Sequence, residues 1–146
     1  MVDLWTQAVG FGVEIPFVSL LGFELKHFEG GRSEIAYAPK PEHLNSFSVT
    51  HGGALMTLLD VSMATAARSV SPEMGVVTIE MKTSFMRPAK VPTGESLVGK
   101  GHLQHRTRSM AFAEGRIFDG TGQLCATATG TFKYVAPRLA QEPATD

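Results

Sequence analysis

The sequence predicts an α+β domain in which one long buried helix is wrapped by an antiparallel β-sheet of five or six strands. Residues 53–68 carry apolar side chains at almost every angular position of a helix, which is typical of a helix that is buried on all sides. In the segments that follow, apolar and polar side chains alternate as in β-strands, and turn residues separate the segments. This pattern favours an antiparallel sheet.

The chain length and composition suit a single domain. The 146 residues, 43% of them hydrophobic, are enough for one core of ordinary size. We expect residues 1–146 to form one domain with its core at about 16–135. Residues 136–146 contain two prolines and show no periodicity, so we expect a loosely attached tail.

The elements before the long helix are short. We expect helical turns within the first twenty residues. The segment FELKHFEGGRSEIAYAPK predicts two strands joined by a turn at Gly30 and Gly31, because β-forming residues flank the glycine pair.

Four strands are expected after the long helix. In VVTIEMKTSF, apolar or small residues alternate with polar ones, which predicts one packed and one wetter face with Val77 and Ile79 on the packed side. Three more strands lie in ESLVGKGHLQH, SMAFAEGRIFD and QLCATATGTFKYV. Two of these carry rows of small residues that would let the sheet close on the helix: Ala111, Ala113 and Gly115, and Ala126, Ala128 and Gly130.

The charge balance excludes several classes of partner. Lysine and arginine number 13 against 14 acidic residues, so the chain has no overall field for binding nucleic acid or an anionic membrane.

No segment reaches the ~18 unbroken apolar residues of a membrane span. The single cysteine, Cys125, fits a small buried residue in a reducing compartment. We therefore expect a soluble cytoplasmic protein.

Asp60 is the one ionisable residue between Gly53 and Ala67. An unpaired buried carboxylate costs several kcal/mol or takes up a proton, so a compensating partner is expected. Asp60 would either cap a loop, meet an arginine at a subunit contact, or act in catalysis.

Gly52 and Gly53 mark the start of the helix. Backbone N–H groups there lack intrahelical partners and could hold an oxyanion, although two glycines could also serve a tight entry into the helix. Eight residues separate Gly52 from Asp60, or roughly 12 Å at the rise of a helix. If both act on one substrate, Asp60 must come from a second subunit, most simply in a two-fold dimer.

The spacing of Asn45, His51, Gly52, Gly53 and Asp60, followed by GVVTIEMKTSFMRPAK and a closing GQLCATATGTF, resembles the hotdog-fold acyl-CoA thioesterases of the phenylacetic-acid-degradation (PaaI-like) type. The similarity covers roughly residues 16–135. It implies a long helix wrapped by an antiparallel sheet, an acyl-CoA substrate hydrolysed to acid and CoA, and homodimers that often pair into tetramers.

The resemblance also implies residue roles. Asp60 would attack the thioester or activate water, and the Gly52 N–H would polarise the thioester carbonyl. Asn45 and His51 would orient the thioester or the water from the chain opposite Asp60, with Thr78 beside the nucleophile. From the residues alone, His51 could instead be a helix cap, Asn45 a turn residue and Thr78 an ordinary strand residue.

The phosphates of CoA need local cations. We expect a rim of cations around the bound phosphates, and its candidates are Arg87, Lys90, Arg106 and Arg108. Gly53, at the helix entry, is a further candidate substrate contact. We expect neither a metal nor another cofactor, because His102 and His105 would face opposite sides of a strand.

Three other functions would each require particular sequence features. A serine hydrolase is disfavoured because no G-x-S-x-G elbow is present. A hydroxyacyl dehydratase of the same fold would need a G-D-x-N-P-x-H-like segment, which the sequence lacks. A non-catalytic acyl-CoA-binding or sensing protein stays open, although the presence of Asp60 favours an enzyme.

Overall fold

The computed structural model describes residues 10–92 and 94–137. Helix α1, Pro16–Leu21, and a 3-10 turn at Pro41–His43 precede the long helix α2, Gly52–Arg68. The six strands are β1 Glu24–Glu29, β2 Arg32–Tyr37, β3 Gly75–Phe85, β4 Leu97–Arg106, β5 Met110–Phe118 and β6 Leu124–Val135. The predicted fold class is confirmed. The expected turns within residues 1–9 and the tail from residue 138 lie outside the described residues.

The strands form one antiparallel sheet in the order β1-β2-β4-β5-β6-β3. Helix α2 packs against it and buries Leu58, Leu59 and Met63 completely. The two predicted rows of small residues lie under this helix, where the alanines are buried and both glycines approach Met63. The close approach that these rows predicted is thus confirmed.

Strand β3 differs from its predicted pattern. A bulge at Ile79 interrupts its pairing with β6 between Thr78 and Glu80. Val77 and Ile79 are consequently 46% and 54% exposed, so the prediction that they pack in the core is wrong. The bulge adds one residue to the alternation, which places Thr78 on the helix-facing side together with Met81. Strand β3 also lies at an edge of the sheet, with apolar side chains left uncovered in the single chain.

Cys125 is fully buried in β6, as predicted. Burial raises the pKa of its thiol, and the nearby Asp119 carboxylate raises it further, so Cys125 is a poor nucleophile. Among the described elements, no helix has the length and hydropathy needed to cross a membrane.

Candidate active site

Asp60 lies in the third turn of α2, partly buried, and faces the edge strand β3. The Thr78 hydroxyl donates a hydrogen bond of 2.5 Å to its Oδ1. Burial raises the pKa of Asp60, while the hydrogen bond from Thr78 acts in the opposite direction. The carboxylate is therefore oriented by one donor and is more basic than an ordinary aspartate, as a nucleophile or general base requires.

The start of α2 is capped by His51. Its Nδ1 accepts a hydrogen bond of 2.8 Å from the Gly53 N–H, so the interpretation of His51 as a helix cap is confirmed. The ring proton then lies on Nε2, which is left to donate outward. Because the Gly53 N–H is committed to His51, that group cannot hold a substrate oxygen in this conformation.

The Gly52 N–H, unlike that of Gly53, is not hydrogen-bonded to His51. No described residue accepts a hydrogen bond from it, and Gly52 lines a cavity of about 380 Å³ together with Asn45, Phe85 and Arg87. A Cβ on Gly52 would lie 3.5 Å from the Phe85 ring, so this ring covers one side of the residue. Of the two glycines, Gly52 is therefore the one with a donor available for a bound oxyanion.

Asn45 shapes the loop that borders this cavity. Its Oδ1 accepts hydrogen bonds from the N–H groups of Phe47, at 2.9 Å, and Val49, at 3.2 Å. Ser48 has a positive φ of 58° in the same tight loop. The interpretation of Asn45 as a turn residue is confirmed, and its side-chain amide N–H₂ is the part left to contact a ligand.

Within one chain the two halves of the predicted site lie apart. Gly52 begins α2 beside Phe85 at the end of β3, whereas Asp60 is eight residues further along the helix and contacts Thr78 near the start of β3. Helix and strand thus both separate the Asp60 carboxylate from the Gly52 N–H, as the sequence spacing predicted.

The four candidate cations fall into two groups at opposite ends of α2. Arg87 lines the cavity at Gly52, and Lys90 lines a neighbouring one of about 480 Å³ beside Thr50. Arg106 lies beyond the other end of the helix, where it donates to the Ser71 hydroxyl at 2.5 Å and stacks over the Tyr134 ring. Arg108 lies exposed in the same β4–β5 hairpin. Arg106 thus has a structural contact within the chain.

Two features of this region were not predicted from the sequence. Phe85 ends β3 against Gly52, and His43 is buried with its Nδ1 2.8 Å from the Tyr37 hydroxyl. Burial and the Glu42 charge raise the pKa of Tyr37 to about 12. Contacts between distant segments bring Phe85 and His43 into place, so no local spacing in the sequence identifies them. The described residues contain no cluster of three or more His, Cys, Asp or Glu side chains able to bind a metal.

One family match assigns the chain to a known family. Residues 47–126, more than half of the chain, match the family model of the thioesterase superfamily. The chain belongs to the thioesterase superfamily. The protein is accordingly a thioester hydrolase, and the resemblance stated from the sequence is confirmed.

Individual relatives agree with this assignment. Acyl-coenzyme A thioesterase 13 of Mus musculus is 30% identical over 91 residues, which are 62% of this chain and 64% of that protein. A thioesterase family protein from Silicibacter pomeroyi superposes with a TM-score of 0.76 at 25% identity, covering 84% of this chain and 90% of the other. The PaaI protein of E. coli, from the phenylacetic acid degradation operon, gives 0.77 at 19% identity over 85% and 87%. That last likeness establishes the hotdog fold alone.

Proposed function

We propose that this thioesterase hydrolyses acyl- or aroyl-CoA to the free acid and CoA at a site shared by two chains. The observation that carries the proposal is the Asp60 carboxylate on the long helix α2: burial raises its pKa, and the Thr78 hydroxyl fixes its orientation. A thioester needs a base or nucleophile and a donor for the developing oxyanion. Asp60 and the Gly52 N–H match these two requirements.

The chemistry would follow one of two routes. Asp60 attacks the carbonyl carbon, the C–S bond breaks, CoA leaves as the thiolate and water cleaves the mixed anhydride. Alternatively, Asp60 takes a proton from a water molecule that attacks the carbonyl carbon directly, the C–S bond then breaks, and CoA leaves with that proton as the thiol. In both routes the Gly52 N–H donates to the oxyanion, and the outward donors of Asn45 and His51 orient the thioester or the water.

Pairing of edge strand β3 with β3 of a second chain would bring Asp60 of one chain near Gly52 of the other. The exposed apolar residues of β3 favour pairing with a second strand. If two copies of β3 pair antiparallel about an axis near Met81, Thr78 of one chain lies opposite Ser84 of the other. Asp60 would then approach the Gly52 end of the second chain. We propose such a homodimer, and a dimer of dimers as its further assembly.

The same pairing would gather the cations. The end of one α2, with Arg106 and Arg108, would approach the start of the other, with Arg87 and Lys90, and form a rim for the CoA phosphates. Gly53 contributes to the substrate site by holding His51. The reaction proposed needs no metal or cofactor, and the reduced buried Cys125 supports a cytoplasmic location.

The test is thioester cleavage on a panel of aliphatic and aromatic CoA esters. We expect wild-type turnover on at least one ester and a loss of more than about a hundredfold in Asp60→Asn, because the amide can neither attack nor accept the proton. Glu29→Gln, the same carboxylate-to-amide change at an exposed site on β1, at the opposite edge of the sheet, serves as the matched control and should keep full activity. Binding of CoA esters without turnover would instead favour the non-catalytic alternative, and equal turnover by Asp60→Asn would exclude Asp60 as the catalytic group.

A further inference from the structure

A third cavity, a largely apolar cleft, lies between α1 and the start of α2. It has a volume of about 350 Å³, and its apolar walls come from the following side chains: Phe17, Leu20, Leu21, Leu44 and Ala54. Leu21 and Ala54 are buried at its floor, whereas Phe17 and Leu20 are 54% and 65% exposed. An apolar ligand would cover surface that the chain leaves in contact with water.

The cleft begins where the proposed oxyanion donor lies. His51 and Gly53 line this cleft, while Gly52, between them, lines the cavity that contains Arg87. The start of α2 therefore separates an apolar cleft from a cavity with a cation. A thioester bound at the Gly52 N–H would have an apolar space on one side and a charged one on the other, which matches the two halves of an acyl-CoA.

One wall of the cleft is held in place by hydrogen bonds. His43 lines the cleft and is buried, and its Nδ1 accepts hydrogen bonds from the Lys40 N–H at 3.1 Å and from the Tyr37 hydroxyl at 2.8 Å. The Tyr37 ring in turn packs edge-on against Phe23, with ring centroids 4.9 Å apart. A preformed wall of this kind favours ligand binding because little ordering remains to be done.

We propose that this cleft binds the acyl group and that Phe17 and Leu20 set the preference for its length. The inference rests on the proposed function, which supplies the CoA ester. Each methylene that enters the cleft leaves water, so kcat/KM rises by about fourfold per added methylene until the cleft is filled.

The test measures kcat/KM for straight-chain esters from acetyl- to decanoyl-CoA. The double variant Phe17→Ser with Leu20→Ser removes apolar surface at two exposed positions and should flatten the dependence of kcat/KM on chain length, with a loss that grows from acetyl- to decanoyl-CoA. Val13→Ser, at a 49% exposed position outside the cleft lining, is the matched control and should keep the wild-type slope. Ala54→Leu, which fills the floor, should lower turnover of the longer esters alone.

Two results would overturn the inference while the proposed function stands: the same slope in the double variant and in wild type, or a changed oligomeric state of the double variant, which would make the patch a subunit contact. Absence of wild-type turnover on straight-chain and aromatic esters alike would instead remove the proposed function. Light scattering on each variant separates these outcomes.

Discussion

At the scale of single residues, Asp60 is placed where its charge costs stability. Burial raises its pKa in the folded protein, so the native state binds the proton more tightly than the unfolded chain does. Stability is therefore lost as pH rises above the ordinary aspartate pKa of about 3.9 and through the raised folded value. A carboxylate that lowers stability in this way, and that accepts a hydrogen bond from the Thr78 hydroxyl, fits a functional role better than a structural one.

The pH dependence of kcat/KM reports this carboxylate directly. Activity needs ionised Asp60, so it should fall as pH drops through the raised pKa. Thr78→Val removes a hydrogen bond that favours the charged form of Asp60, so the pKa of Asp60 should rise further. We therefore expect the acid limb of the profile, where kcat/KM falls at low pH, to move to higher pH. Thr78→Ser retains the hydroxyl and should keep the wild-type profile. A limb that stays in place, or moves to lower pH, in Thr78→Val would contradict this role.

Gly52 permits an unusually selective test of a backbone donor. It is the first residue of α2, and His51 before it has φ −60° and ψ 137°, a conformation that a following proline accepts. Gly52→Pro should keep the helix, since proline is favoured at this position, while removing the N–H. We expect kcat to fall by about 10²- to 10³-fold.

The control is Gly52→Ala, which keeps the N–H and places its Cβ at an ordinary distance from Phe85. It should retain much more activity than the proline variant. Equal losses in the two variants would indicate that the space beside Phe85, rather than the donor, matters at this position. Circular dichroism verifies that α2 is intact in both.

At the scale of elements, the closeness of α2 to the sheet limits which side chains fit. A Cβ on Gly101 would overlap the Ser62 carbonyl, which also accepts a hydrogen bond of 2.6 Å from the Ser33 hydroxyl. Gly101→Ala should lower the free energy of unfolding by about 1–3 kcal/mol. Lys133→Ala, at an exposed position on β6, should change it by less than about 0.5 kcal/mol. Denaturant unfolding measures both, and a neutral Gly101→Ala would show that the helix is free to shift.

Periodicity carried enough information to predict most of these elements. The uniform apolarity of residues 53–68 predicted α2 to within one residue, and the Gly30–Gly31 pair marked the turn between β1 and β2. Strand β3 was predicted but its faces were not, because the bulge at Ile79 has no signature of its own and exposed Val77 and Ile79 imitate a buried pattern. Their exposure follows from that bulge, which sets the face of the sheet that they occupy, and the bulge depends on the pairing of β3 with β6.

The candidate site was predictable to a similar depth. Asp60 and Gly52 could be identified because a charge in an apolar helix and a free helix start are local features. The commitment of the Gly53 N–H to His51, and the packing of Arg106 on Tyr134, could not, since each depends on side-chain geometry or on contacts between distant segments.

At the scale of the whole molecule, the central claim is that no single chain holds a complete site. Asp60 and Gly52 lie on one rigid helix, roughly 12 Å apart by its rise, so motion within the chain cannot bring them together. A dimer through β3 would create two equivalent sites, each with Asp60 from one chain and Gly52 from the other.

Mixing two inactive variants tests this claim most directly. Asp60→Asn and Gly52→Pro are unfolded and refolded together in equal amounts, and thioester cleavage is compared with each variant refolded alone. Half of the dimers would then be mixed, and each mixed dimer would contain one site with both wild-type residues, so activity should recover to about a quarter of wild type. A mixture that forms mixed dimers but stays as inactive as its components would place Asp60 and Gly52 of the same chain in one site and contradict the shared site.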